Sequence, residues 1–404
     1  SEIATHQLFR LCRVREEWKM KALLLEAEWK PREGYRLNPV EIATKSSYNG
    51  NQTYYDPQAK MIDMPVPKPG AQQVLVKVKA TGVCGSDVHM YQRDEDNYMA
   101  YPGHCRFPCV LGHEWSGEVI ELGAGVTSLK VGDMVAVEEM EWCGRCTACR
   151  SGLFDQCTQL EEIGFTIQGA YAEYIAVPEK HCWSINAIAE AYGDKTKAYE
   201  IGAMVEPCCV AYNGIFISGG GFLPGSNVVV AGCGPVGLMG ISLARASGAA
   251  KVIVMEPSEG RREMAMKMGA DYVFDPNAVT RPADTIMDIT SGDGAHVCIE
   301  AAAAGPFTYP IFEEVLNPSG KIVQCGMGAK KVPVSVLKMQ WQRLHIHGSV
   351  GHSGGIFPFA IRLLAAKRMD LSPMVTSRFP LDKTIEAIQT AEKLQDAKVM
   401  VIQD

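Results

Sequence analysis

The hydrophobic positions change period along the chain. Lys21-Ala22-Leu23-Leu24-Leu25 is apolar enough to open a domain as a strand, which makes the residues before Met20 an appendage, such as an extended translation start. Residues 32–58 are polar and rich in Tyr, Asn, Pro and Gly, predicting a long loop before a second strand near Ala59–Met64. In Gln73–Ala80, Val74, Val76 and Val78 alternate with other residues, the period of a half-buried strand. That strand delivers the chain to Cys84, on a loop or short helix at its end.

From Pro224 the pattern is different. Asn227–Ala231 is a short apolar strand, a glycine turn follows, and Leu238–Ser247 has the composition of a helix. Strands and helices then alternate: Lys251–Glu256, helix Glu259–Met268, Tyr272–Phe274, helix near Ala283–Thr290, His296–Glu300, helix near Phe307–Leu316, Lys321–Cys325 and Leu344–Ser349. Such alternation predicts a parallel, doubly wound sheet. The tail offers helices at Phe357–Lys367 and Lys383–Lys393 and a strand at Val399–Ile402, and is expected to return to the first domain.

Composition narrows the function classes. The chain has 404 residues, 47% hydrophobic and 21% charged, with a net charge of -7. No basic field exists to hold a nucleic acid or an anionic membrane surface. The longest apolar run, Val228–Ala244, is interrupted by glycines and a proline and reads as a buried strand turning into a helix. The first residues carry no apolar stretch of signal-peptide length, so the protein reads as cytoplasmic. Its 14 cysteines then read as core thiols and metal ligands.

Four of those cysteines are clustered. Cys143, Cys146, Cys149 and Cys157 give C-x2-C-x2-C-x7-C, a spacing that wraps a tetrahedral zinc with no open position, hence a structural site. A second set of zinc-type donors is Cys84 and His113, a thiol and an imidazole. Ser86 and His89 beside Cys84 offer a route for a proton, and Glu114 is either a ligand or a group supporting one. Glu206, before Pro207, is a further candidate ligand, against the plainer reading of an exposed acid. His352 reads as a polar loop residue that could enter a pocket, and a cluster of His104, Cys105 and Cys109 is set aside because Cys109 runs into Val110-Leu111 and looks like packing.

The turn Gly232-Cys233-Gly234-Pro235-Val236-Gly237 sits between strand and helix, with Glu256 about 20 residues on. Its glycines permit close approach of a pyrophosphate to the helix N-terminus, and Glu256 can accept hydrogen bonds from ribose hydroxyls. That carboxylate would repel a 2'-phosphate, so NAD is favoured. Ser258, Arg261 and Arg262 leave NADP as the second reading.

In this order, Gly82-Val-Cys84-Gly-Ser-Asp-Val-His89, Gly112-His-Glu114, the four-cysteine lobe, Val205-Glu206-Pro207 and the glycine turn resemble the zinc-dependent medium-chain dehydrogenases, from Met20 to Asp404. The resemblance implies an α/β chain: a GroES-like, barrel-related catalytic domain over 1–207 and 352–404, a structural-zinc lobe at about 140–160, and a Rossmann domain over 208–351. The Glu206-Pro207 pair is similar to the polyol dehydrogenases, sorbitol and inositol types. The loops at 32–58 and 91–108 and the segment 185–200 look like the scyllo-inosose 3-dehydrogenase type.

By that resemblance the catalytic zinc ligands are Cys84, His113 and Glu206 or Glu114, Ser86 and His89 form a proton relay, and Asp87 orients the zinc histidine. It implies reversible oxidation of a secondary hydroxyl on a small polyol or cyclitol, with zinc and NAD, in a homodimer or homotetramer whose segment Lys331–Val336 could pair across the dimer. The alternatives are a linear polyol dehydrogenase, a threonine 3-dehydrogenase or other zinc alcohol dehydrogenase, and a non-catalytic nucleotide-binding protein.

Overall fold

The computed structural model describes residues 13–328 and 330–404; most of the amino-terminal appendage lies outside them. The chain divides into two compact units, one ending at Glu206 and resuming over Val375–Asp404, the other Pro207–Met374.

In the first unit, Arg13–Trp29 and Tyr54–Lys68 form a long antiparallel hairpin, so the opening strand starts seven residues before the expected Met20. The main sheet runs, edge to edge, Cys182–Ser184, Met134–Val137, Glu114–Leu122, Gln73–Gly82, Lys398–Ile402 and Val375–Pro380, and Tyr174–Pro178 also pairs with Gln73–Gly82. The strand Gln73–Gly82 thus has antiparallel neighbours on both sides, and its inward valines meet Trp115, Val119, Val135 and Val137 in a common core.

Two expectations fail here. Residues 32–58 are not one loop: Pro39–Thr44 and Gly50–Thr53 are short helices, and the second strand begins at Tyr54. The first helix is fixed by a capping box, in which Asn38 Oδ1 accepts from the amides of Val40 and Glu41 while Glu41 accepts the Asn38 amide, with proline at the first helical position. The strand Val375–Pro380 was missed because it begins on a short helical turn and ends on proline. It pairs in parallel with Lys398–Ile402.

The second unit holds a six-stranded parallel sheet in the order Tyr272–Phe274, Lys251–Met255, Asn227–Ala231, Ala295–Glu300, Leu316–Gln324, His345–Gly348. Numbered along the chain that order is 3-2-1-4-5-6, the doubly wound arrangement that reverses direction beside the first strand. Residues 352–374 belong to this unit, not to the first as expected. The reason is the helix Phe357–Ala365, whose Phe357, Ala360, Ile361 and Leu364 form one buried stripe, with Phe357 edge-on to His352. Lys331–Ser335 is not a strand, and a helix, Val336–Gln342, follows it. No single helix among the described residues is long and apolar enough to cross a membrane.

Candidate metal centres and dinucleotide site

Cys84 closes the loop after the strand Gln73–Gly82 and stands at the N-cap of the helix Gly85–Tyr91. Glu114 opens the neighbouring antiparallel strand, where it pairs with Gly82, and His113 immediately precedes it. Adjacent strand ends therefore bring together residues far apart in the chain, and donor atoms of Cys84, His113 and Glu114 lie within 4.8 Å of one another.

Asp87 is the pivot beneath them. It is fully buried, accepts the Cys84 amide (2.9 Å) and the Tyr171 hydroxyl (3.0 Å), and its other oxygen stands 3.7 Å from His113 Nδ1. Burial raises the Asp87 pKa, with His113 opposing it. Burial disfavours a charged His113, yet the Asp87 carboxylate and the Cys84 sulfur hold its pKa well above the usual histidine value. Lys398, wholly buried on the strand Lys398–Ile402, ion-pairs with Glu114 and donates to Val83 O at 3.0 Å. Gly82 is required for this: a Cβ there would meet Glu114 Oε2 at 2.3 Å and Lys398 Cε at 2.7 Å.

Glu206 lies in the first turn of Val205–Tyr212, 5% exposed, and so is not the exposed acid of the plainer reading. Its carboxylate is grouped within 4.8 Å of Glu139 rather than with the Cys84 trio. Neither Glu139 nor Lys398 stood out in the sequence. The consecutive pair Glu138-Glu139 at the end of an apolar strand was the available signal. Ser86 is buried with its Oγ unpartnered, and His89, one turn on, is exposed and bonded to Gln92 (3.1 Å). Cys105 and Cys109 are buried, and the Cys109 thiol donates to Ile167 O at 3.2 Å.

The donor set fits a divalent cation. Cys84, Glu114 and Glu206 crowd anionic groups around Lys398, and a thiol, an imidazole and a carboxylate converge as zinc requires. The cysteine lobe fits equally well. Its four sulfurs lie within 4.8 Å, on a loop hung from the two-residue ladder Met140–Glu141 with Glu161–Glu162. The amides of Cys146, Cys149 and Gln159 point at sulfurs of Cys143, Cys146 and Cys157. Amides of Cys149 and Thr158 bring the Cys146 pKa down to about 6, while burial and neighbouring thiols push Cys149 up to about 12. A cation is what would let all four ionise together.

In the second unit, Gly232 follows the strand Asn227–Ala231 at φ +91, and Gly234 caps the helix Pro235–Ala246 with open space where a Cβ would stand. At Gly237 a Cβ would lie 2.0 Å from Gly232 O, so the helix could not approach the turn. Pro235 and Val236 open that helix. Glu256 accepts the amides of Cys233 (2.8 Å) and Ser258 (2.9 Å), which ties the second strand's end to the glycine turn. Arg262 donates to Glu256 O and Pro257 O, whereas Arg261 Nε is buried without a partner.

This fold, with a thiol–imidazole centre on its antiparallel half and a dinucleotide turn on its parallel half, defines a zinc-type medium-chain dehydrogenase. Residues 70–187 match the alcohol dehydrogenase GroES-like domain and 235–366 the zinc-binding dehydrogenase domain, and the chain belongs to this family. It is 38% identical over 395 residues to scyllo-inosose 3-dehydrogenase of Thermotoga maritima, covering 95% of this chain and 98% of that one. L-threonine 3-dehydrogenase of Pyrococcus horikoshii is 35% identical over 345 residues, 85% of this chain and 94% of the relative. A solved Thermotoga maritima structure of alcohol dehydrogenase type superposes with a TM-score of 0.91 at 35% identity, covering 95% of this chain and all of that one.

Proposed function

We propose that this enzyme oxidises a secondary hydroxyl of a cyclitol or keto-cyclitol to a ketone, reversibly, with zinc and NAD. The observation that carries the reading is the convergence of Cys84, His113 and Glu114 within 4.8 Å, in a chain that also bears the dinucleotide turn. Similarity to scyllo-inosose 3-dehydrogenase over nearly the full chain supports the ring substrate. When bound, zinc supplies Lewis-acid polarisation of the substrate hydroxyl and the nicotinamide takes up the hydride.

The chain's own residues do the rest. Cys84 and His113 hold the metal with Glu114 as third donor, Lys398 offsets the charge of Glu114, and Asp87 fixes the ring of His113. Glu206 stands beside Glu139 as an outer carboxylate. Ser86, buried and unpartnered, receives the proton, and His89, three residues on and exposed, passes it to solvent. Cys143, Cys146, Cys149 and Cys157 hold a structural zinc. Gly232, Gly234, Pro235, Val236 and Gly237 seat the pyrophosphate, with Glu256 and Arg261 toward the adenosine ribose. A spectrophotometric screen of cyclitols, linear polyols and L-threonine with NAD and NADP tests this. Turnover confined to L-threonine would contradict it.

Glu256 sets the cofactor. Replacing it with alanine removes a charge-assisted acceptor worth roughly 1.5–3 kcal/mol, so KM for NAD is expected to rise about tenfold or more while NADP improves. Steady-state kinetics with both cofactors checks this, and an unchanged NAD preference would contradict it.

We also read the enzyme as a cytoplasmic homodimer or homotetramer. The strand His345–Gly348 ends the parallel sheet, and the helix Val336–Gln342 leaves Val336, Leu337 and Trp341 exposed, Trp341 by 80%. Trp341→Glu is expected to yield monomers in sedimentation velocity. An unaltered sedimentation coefficient would contradict this face as the interface.

A further inference from the structure

The two segments that set this chain apart, 32–58 and 91–108, fold as one cap. Ser47 and Cys105 exchange backbone hydrogen bonds (2.8 and 3.0 Å), the Gly50 amide donates to Gly103 O (3.1 Å), and the Asn51 amide to Tyr101 O (2.8 Å). Arg32 pairs with Asp94 and Asp96 and lies over the Tyr98 ring. At Gly50 a Cβ would meet Cys105 Sγ at 2.7 Å and Tyr101 O at 2.8 Å, so the two segments are in close contact.

The cap is fastened by a polar clasp. His104 Nε2 lies 2.9 Å from Ser46 Oγ, and His104 Nδ1 lies 3.0 Å from Glu162 Oε2, on the strand that closes the cysteine lobe. Tyr48 stacks flat on His104, with ring centroids 5.0 Å apart. A carboxylate can only accept, so Nδ1 carries the proton toward Glu162 and both ring nitrogens are used. His104 is therefore saturated, and the clasp positions the cap without offering a group to a ligand.

Tyr101, three residues before His104, is different. The residue is 8% exposed, and its hydroxyl, which is not fully shut off from solvent, makes no hydrogen bond among the described residues. Its ring lies 5.7 Å from Phe165, which in turn lies 4.5 Å from His113. Burial raises its phenol pKa, with Glu162, Cys105, Cys84 and Asp87 adding to the effect, so the ring lies within the field of the metal centre. Gly103 leaves room for it: a Cβ there would stand 2.4 Å from the Tyr101 oxygen. A hydroxyl on a largely buried ring that no protein group pairs with is free to bond a ligand.

We propose that Tyr101 is a specificity-determining residue, whose free hydroxyl hydrogen-bonds a substrate hydroxyl remote from the reacting carbon, with Ser46, His104 and Glu162 holding the cap that carries it. The inference rests on the polyol reading above. It makes the cap, rather than the metal ligands, the part that distinguishes a polyhydroxylated ring from a simple alcohol.

The test compares wild type and Tyr101→Phe, as zinc-loaded enzyme with NAD, on cyclohexanol and on the polyol turned over fastest in the screen. Loss of one neutral hydrogen bond is expected to raise KM for the polyol roughly tenfold with kcat kept, and to leave cyclohexanol within about twofold. His104→Ala is expected to raise the polyol KM in the same direction, with His104→Gln falling between. An unchanged polyol KM in Tyr101→Phe, or equal losses on both substrates, overturns the inference while leaving the functional reading intact. A wild type silent on every polyol overturns the functional reading, and the inference with it.

Discussion

Cys84→Ser and His113→Ala are each expected to abolish NADH formation while the protein stays folded and still binds NADH. The thiol sits at a helix N-cap and the imidazole just before the adjacent strand Glu114–Leu122, and each supplies a donor to the same centre. Metal activation of a hydroxyl is worth several kcal/mol, so losing it should lower kcat/KM by at least roughly 10^3-fold. Asp87 sharpens the prediction for His113, because alanine leaves a buried carboxylate facing an empty space. That variant should lose stability as well as activity. Fluorescence titration with NADH and circular dichroism separate lost chemistry from lost folding. Retained turnover in either variant would remove the metal centre from the mechanism.

The second large effect is expected at the cysteine lobe. Cys146→Ser removes the sulfur that the amides of Cys149 and Thr158 favour as a thiolate, with its pKa lowered to about 6. The lobe has little else to hold it. Its ladder is two residues long, and beyond the sulfurs it has the ring contacts of Trp142 with Phe154 (4.8 Å) and His181 (5.0 Å) and a hydrogen bond from Arg145 to Gln159 (3.0 Å). Structural zinc sites contribute on the order of 10–16 kcal/mol to the folding of small domains, so loss of one ligand should release the ion and loosen the loop. The expected result is one zinc fewer per chain by elemental analysis and rapid proteolysis between residues 142 and 160. Full zinc content with unaltered protease resistance would contradict it.

Much of this architecture was readable because it is written locally. The alternation after Pro224 predicts six strands, the first five joined by helices, and the structure has the strands parallel in doubly wound order. The glycine turn sits where a short apolar strand meets a helix opened by Pro235. The cysteine spacing needs only one loop, and the four sulfurs do lie within 4.8 Å.

What escaped is non-local. Lys398 meets Glu114 across the sheet from 284 positions away, a pairing that no window of sequence contains. The cap reads as two unrelated polar loops because its ties run from Ser47 to Cys105 and from Ser46 to His104. His104 looked idle for the same reason: its partners are 58 residues away on either side. Residues 352–374 were assigned to the wrong unit, while the tail from Val375 does return to the first, because an amphipathic helix declares which face it buries, not what it buries that face against.

The central claim is that Cys84 and His113 hold one zinc ion, and anomalous diffraction at the zinc edge tests it most directly. The account predicts two peaks per chain, one among the four lobe sulfurs and one at about 2.3 Å from Cys84 Sγ and about 2.0–2.1 Å from a His113 ring nitrogen. A single peak confined to the lobe, in protein that still reduces NAD, would contradict it.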